Sequence, residues 1–499
     1  MKPQGRTPIF WLAAVSLFYF VCAGLRAIYR PMWYDELVTW HISRLPTIGA
    51  MWAAICSGVD QEMPLTHLTV RFSHALFGDG NLATRLPMLI GFWIMLLCIY
   101  RFLSRRVTWP FALLGLLFPM LTYMWPYSFE GRAYGIALAG VGIALVSWQN
   151  AADDRARPWS LIGITFGLLV VLSTQATLAV VGIPFALGEA VRTYDRRRID
   201  WPVWCAFAAA CPIVAIYPLV RAAVKHFTFP GMQPGIQRFP VFYDQALLPA
   251  IFPILVAVGI ACWVNRREKR VELEQAVLPR YEAALLIGFL LTPLPFFVAG
   301  RLSNQFVFFP RYGMLAMIGL AGWLAVFAFR VSAGNARAAM AMVLTLFLWL
   351  VAARGKEAFA TAHDPDSTWR DDWQVLAQAL SKGPPVVVSS NEVFLEGDHY
   401  FSADLASHLY WVTADPEVAR RHDWLPFADF FTVNDAKTFP LHAQVTSWKE
   451  FGTRTQPFYL YTDTQHQWFY EVLPSQGWRL TEQSVNDGWI MYLVEREKQ

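Results

Sequence analysis

The chain has 499 residues, of which 56% are hydrophobic and only 16% charged, with 22 Trp and 37 Phe. Soluble domains carry about 25% charged residues, so a water-soluble enzyme is excluded for most of the length. The net charge of +4 hides an asymmetry: residues 1–356 hold 31 Lys and Arg against 16 Asp and Glu, whereas 357–499 hold 10 against 21. Two different bodies are implied, and neither reads as a nucleic-acid binder.

A hydrocarbon core about 30 Å thick takes roughly 20 apolar residues as helix. Runs at 8–29, 82–100, 107–125, 131–149, 159–175, 176–191, 201–222, 244–264, 281–299, 311–329 and 338–353 predict about eleven spans. The first reads as an uncleaved anchor, because it is too long for a signal-peptide core and no small-x-small site closes it. Basic residues fill every second connection: Lys2 and Arg6, Arg101/Arg105/Arg106, Arg155/Arg157, Arg192/Arg196/Arg197/Arg198, Arg266/Arg267/Lys269/Arg270/Arg280, and Arg330/Arg337. By the positive-inside rule these face the cytoplasm, with the N-terminus. Segments 30–81, 126–131, 223–243 and 300–312, and the tail, face outward. The expected organisation is a mainly α, polytopic membrane domain over 1–355, followed by an outward-facing α/β domain over 356–499.

The six cysteines all lie in the apolar part. They form neither a disulfide framework nor a zinc pattern.

The first outer loop, 30–81, reads as folded. Pro31 to Trp40 mixes Trp with charge and suits a helix in the membrane interface. Ile48, Met51, Trp52 and Ile55 recur at helical spacing before Gly58, giving a second helix. A third starts with Pro64 and stops at Gly78. It is expected to bury Leu65, Leu68, Phe72 and Leu76, with His67, Arg71 and His74 on the opposite side.

Asp35 and Glu36 are the sharpest feature. Neighbours on a helix point about 100° apart, so one carboxylate could face a reaction centre while the other holds a supporting contact. The competing reading is that both mark the water side of the interface. Desolvation at this depth would push a carboxyl pKa towards the range of a general base. A cationic set is scattered over the outer ends of the spans: Arg132 after Glu130, Arg221 with Lys225 and His226, Arg238, Arg301 and Arg311. Burying a cation near hydrocarbon costs about 2.5–3.5 kcal/mol at mid-helix on insertion scales, so anionic partners are implied, lipid headgroups among them. Arg311-Tyr312 opens a span directly after an aromatic run, where a guanidinium could grip a phosphate bidentately.

In the tail, Trp369 to Leu380 has helical periodicity, Val386-Val387-Val388 begins a strand, and Phe458 to Tyr461 is another. Trp478 to Ser484 and Trp489 to Val494, joined through Asn486-Asp487-Gly488, read as a closing hairpin. Asp398, His399 and His408 read as scattered surface residues, without metal-ligand spacing.

Asp35-Glu36, Pro64-Leu65, Leu76-Phe77-Gly78, Arg85-Leu86-Pro87, Tyr127 to Tyr134 and Pro310-Arg311-Tyr312 stand in an order and spacing that resembles the GT-C membrane glycosyltransferases of the protein mannosyltransferase and aminoarabinose transferase superfamily, including RgtA-like enzymes. The resemblance covers about 1–355, and the outward tail is similar in kind. It implies an inverting enzyme that moves a sugar from a polyprenyl-phosphate donor to an extracytoplasmic glycolipid, polysaccharide or protein. By the same resemblance Asp35 is the general base and Glu36 orients its neighbours. Arg311 holds the donor phosphate and Tyr312 lines the donor groove, with Arg301, Arg221 and Lys225 as further phosphate or lipid contacts. Glu62, His67, Arg71, Glu130, Arg132 and Tyr134 support the acceptor or the loop.

No cofactor is required on this reading. A divalent metal, if one is used, would sit at Asp35 and Glu36, although two adjacent carboxylates make a poor octahedral site. The chain departs from the family at Glu62-Met63, where a second Pro, a His or a Lys is common, at Thr66 in place of Tyr, and at Thr174-Gln175-Ala176 in place of Thr-His-Tyr. No Asn-x-Ser/Thr sequon occurs, so a bacterial plasma membrane is expected rather than an endoplasmic reticulum. The alternatives are a polytopic transporter, which would carry inverted repeats, and a scaffold of envelope glycan assembly.

Overall fold

The computed structural model describes residues 6–224, 235–266, 278–303, 308–366, 370–422, 425–463, 468–486 and 488–497. The chain forms two bodies. One comprises Met1–Tyr29, Glu62–Pro218 and Gly231–His363; the other comprises Arg30–Gln61, Leu219–Pro230 and Asp364–Gln499.

The first body is helical. Among the described residues, eight helices are long and apolar enough to cross a membrane, and the pair Arg280–Leu290 and Leu294–Leu302, bent by 49°, is apolar enough to make a ninth span or a re-entrant loop. Two further expected spans, Trp109–Leu121 and Ala316–Val331, are apolar helices shorter than a full crossing. Pro119 lies inside the first of these, two residues before its end, where a missing N–H helps to stop a helix. Every residue of that helix after Trp109 is buried, so its shortness exposes no backbone to lipid.

Glycine sets the closest crossings. A Cβ on Gly91 would stand 2.4 Å from the Gly135 carbonyl oxygen, and one on Gly135 would stand 2.3 Å from that of Met88. The helices Asn81–Leu103 and Tyr134–Ala152 thus meet backbone to backbone, the contact small residues permit between membrane helices. Gly135→Ala should destabilise the protein by about 1–3 kcal/mol through overpacking. Comparative unfolding of wild type and variant in one detergent checks this.

The basic residues of alternate connections are not simply solvated. Arg106 binds Glu282 through Nε at 3.0 and 2.8 Å and reaches Asp153 through Nη2 at 2.9 Å, while Gln149 donates to Glu282 at 3.1 Å. Asp200 receives Arg157, Arg192 and Arg196, and Arg192 also pairs with Glu189 at 2.8 Å. These clusters tie the ends of several spans together.

The Pro64–Phe77 helix is present, but its faces are reversed from expectation. Phe72 and Leu76 are exposed, 67% and 58%, whereas His67 is fully buried with Thr66 and Val70. Amphipathic periodicity identifies the apolar stripe but not what lies against it. In a membrane protein that stripe can face hydrocarbon while polar groups turn into the protein.

The second body is α/β. Its six strands are β1 (Val386–Val388), β2 (Leu409–Thr413), β3 (Gln444–Ser447), β4 (Phe458–Asp463), β5 (Trp478–Asn486) and β6 (Trp489–Arg496). They run in the order β3-β2-β1-β4-β6-β5, with the first four parallel and β6 antiparallel to both neighbours. The strands expected at 386 and 458 and the closing hairpin are all present. β1 is buried throughout, as a parallel strand covered on both faces requires. Trp448, Trp468, Trp478, Phe451, Phe458 and Phe469 fill one side of the sheet. The helices Tyr34–Arg44 and Ile48–Ser57, between the first two spans in sequence, belong to this body.

Candidate functional site

Within the α/β body, Trp33 caps the Tyr34–Arg44 helix from an extended conformation. The main-chain N–H of Trp33 donates to the Glu36 carboxylate, closing half of a capping box. Glu36 is fully buried, with Arg30 3.6 Å away. It therefore does not mark the water side of an interface. Asp35, in the same first turn, is half-buried. The two acids have separated roles, one committed to the helix start and one partly open.

What holds this turn comes from the C-terminal stretch of the chain. The Tyr34 main-chain N–H donates to Glu396 at 3.0 Å, and its hydroxyl donates to Asp435 at 2.9 Å. The Tyr400 hydroxyl donates to the Met32 carbonyl at 3.1 Å and also accepts from the Met32 N–H. Trp40 packs edge-on against His399 at 4.9 Å, and His41 stacks on Phe439 at 4.6 Å. His399 is thus a packed residue and not a surface one, and His408 is half-buried. The Asp398 carboxylate caps the His442 and Ala443 N–H groups at 2.7 and 2.8 Å. No sequence signal marks Glu396, Asp435 or Tyr400 as partners of residues some 360 to 400 positions earlier.

Burial controls the charges here. Desolvation, with Glu392 and Glu36 nearby, pushes the Glu396 carboxyl up to about 8, against the pull of the Tyr34 N–H and Arg30. Desolvation likewise raises Asp435, and it lowers His41 to about 3 with help from His399 and Arg44. At neutral pH Glu396 is mostly protonated. Its folded-state pKa lies above the ordinary 4.5, so its contribution to stability is complete below about 4.5 and is lost as pH rises through about 8. Thermal unfolding of the full chain should weaken from pH 5 to pH 8, and Glu396→Gln should flatten that slope; an unchanged slope would remove Glu396 as its source.

In the membrane body, Glu62 is fully buried and meets Arg132 Nε at 2.8 Å and the Ala133 N–H at 3.0 Å. The Met63 N–H and the Thr66 hydroxyl both donate to the Thr174 carbonyl, at 3.1 and 3.3 Å. Glu62 and His67 bring ligand atoms within 4.8 Å of each other. Glu130 and Arg132 are buried in the same stretch, and Arg71 is half-buried on the Pro64–Phe77 helix.

Arg311 lies over the Phe309 ring at 4.8 Å and faces Tyr312 at 6.0 Å. Tyr312 stacks on Phe296 at 5.7 Å, and the Tyr123 hydroxyl donates to the Pro310 carbonyl at 2.9 Å. Tyr134, almost fully buried, packs on Tyr127 and is within electrostatic reach of both Arg311 and Arg132. Tyr134 therefore links two expected groups, Glu62–Arg132 and Arg311–Tyr312. Tyr123 and Phe296 complete this aromatic wall, and the sequence did not single them out. Arg301 is exposed at the end of its helix, Arg221 falls in the α/β body, and Lys225 lies outside the described residues.

No protein-family model matches the chain, and no protein of curated function matches it. Solved structures do. ArnT from Cupriavidus metallidurans bound to undecaprenyl phosphate is similar with a TM-score of 0.54 at 14% identity, over 98% of both chains. The apo form of the same protein gives 0.46 at 14% identity, over 97% of both. The likeness covers nearly the whole length of the chain, so the fold is the one seen in that ArnT structure.

Proposed function

We propose that the protein is an inverting glycosyltransferase that takes a sugar from a polyprenyl-phosphate donor and passes it to an acceptor outside the cytoplasm. The observation that carries this reading is the Arg311 guanidinium set among Phe309, Tyr312 and Tyr134 in a chain folded like a protein bound to undecaprenyl phosphate. A planar cation held against aromatic rings suits a phosphate flanked by an isoprenoid chain. Asp35 is the base that takes the acceptor's proton. Arg311 neutralises charge growing on the departing phosphate oxygen. Glu62 and Arg132 keep Tyr134 in place behind the phosphate, and Glu130, His67 and Arg71 support the acceptor side. A lipid phosphate is already a serviceable leaving group, so positioning and proton removal are the main demands. The bacterial plasma membrane, with the α/β domain outside, is the setting this chemistry needs.

Arg311→Ala should raise the KM for the lipid-phosphate donor and lower kcat together, because the guanidinium holds the phosphate in the ground state and meets further charge growing on it in the transition state. Arg311→Lys should recover part of the activity, as a point charge without the fork. Steady-state transfer from a polyprenyl-phosphate sugar by purified protein in nanodiscs checks both. Wild-type kinetics for Arg311→Ala would count against the assignment.

A further inference from the structure

The Tyr34–Arg44 helix carries one half-buried acid, and the residue before that acid is held from two directions. Glu396 accepts from the Tyr34 main-chain N–H at 3.0 Å, while Asp435 accepts from its hydroxyl at 2.9 Å. Backbone and side chain of a single residue are thereby pinned to two different helices, Asn391–Tyr400 and Leu425–Thr438. Tyr400 brackets Met32 three residues upstream of Asp35. Glu396 and Asp435 are 3% and 1% exposed. Burying two acids is costlier than apolar packing would be, so packing alone does not account for them. The frame of residue 34 fixes the direction in which the side chain of residue 35 leaves the helix.

We propose that Glu396 and Asp435 are positioning residues for sugar transfer, which hold Tyr34 so that Asp35 is presented in a fixed orientation. The inference rests on the reading of Asp35 as the base, and it assigns the C-terminal α/β domain a part in the catalytic step. Neither acid touches substrate. Each works as a hydrogen-bond acceptor, so an isosteric amide can replace it.

The test is steady-state transfer by the full chain in nanodiscs, with kcat and donor KM measured separately and expressed per folded molecule. Glu396→Ala and Asp435→Ala should lower kcat about 10- to 100-fold, the loss expected for a displacement near 1 Å, with donor KM unchanged. Glu396→Gln and Asp435→Asn should restore near wild-type kcat, because Gln Oε1 and Asn Oδ1 still accept from Tyr34. Tyr34→Phe, which deletes a single hydroxyl and keeps the fold testable if the alanine variants fail to fold, should lower kcat in the same way. Wild-type kcat in Tyr34→Phe and in folded alanine variants overturns the proposal, as do amide variants no better than alanine. Asp35→Asn separates the two levels: if it retains transfer, the base assignment fails, whereas an inactive Asp35→Asn beside unaffected Glu396 and Asp435 variants overturns only the positioning role.

Discussion

Asp35→Asn should lower sugar transfer about 10²- to 10⁴-fold, the usual contribution of a positioned general base, with little change in donor KM. The substitution preserves shape and removes proton affinity. The neighbouring acid cannot take over, because Glu36 is fully buried, accepts from the Trp33 N–H and has Arg30 3.6 Å away. Glu36→Gln should behave differently. It keeps an acceptor for the helix start and weakens the charge interaction, so its effect should appear as lost stability, near 1 kcal/mol for a weakened cap. Donor-dependent transfer by reconstituted protein measures the first, and unfolding of the same preparations measures the second. Unimpaired turnover in Asp35→Asn would remove the acid from the mechanism.

The largest loss of stability should come from a buried ion cluster within the membrane body. Glu282 is fully buried and receives Arg106 at 2.8 and 3.0 Å and Gln149 at 3.1 Å. Glu282→Ala leaves the Arg106 guanidinium with Asp153 alone among these partners. Breaking a buried pair by removing one member typically costs about 3–5 kcal/mol. Replacing both members with leucine should be far milder, since the uncompensated charge goes with the acid. Denaturant unfolding of the single and double variants in one lipid–detergent mixture decides this. A Glu282→Ala protein as stable as wild type would show that the pair carries no net weight.

The membrane spans were legible because hydrocarbon imposes a length and a composition on each one, and every expected run is matched by apolar helix. The boundaries of α/β strands were legible for a related reason: Pro384-Pro385 before Val386 and Gly488 before Trp489 punctuate the chain where it turns. The inward face of Pro64–Phe77 was not legible, since periodicity gives a stripe without its partner. The Glu62–Arg132 pair, the Thr66–Thr174 bond and the anchoring of Tyr34 by Glu396 and Asp435 depend on contacts across 70 to 400 positions. Such contacts leave no local periodicity. Asp35, Arg311 and Tyr134 stood out in the sequence through a family's order of motifs. Tyr123 and Phe296, which carry no such mark, are ordinary aromatics until the fold gathers them.

The α/β body is assembled from stretches that the ribosome delivers far apart. Residues 30–61 emerge first, and roughly 300 residues follow before the C-terminal stretch begins at Asp364. At 5–20 residues per second, about 15 to 60 seconds separate the two. Throughout that interval Tyr34, Leu37 and Ile42, which are buried in the finished fold, lack the surface that later covers them. A nascent chain halted anywhere before the tail would display an unfinished apolar face, which is what a holding chaperone or a quality-control protease would find.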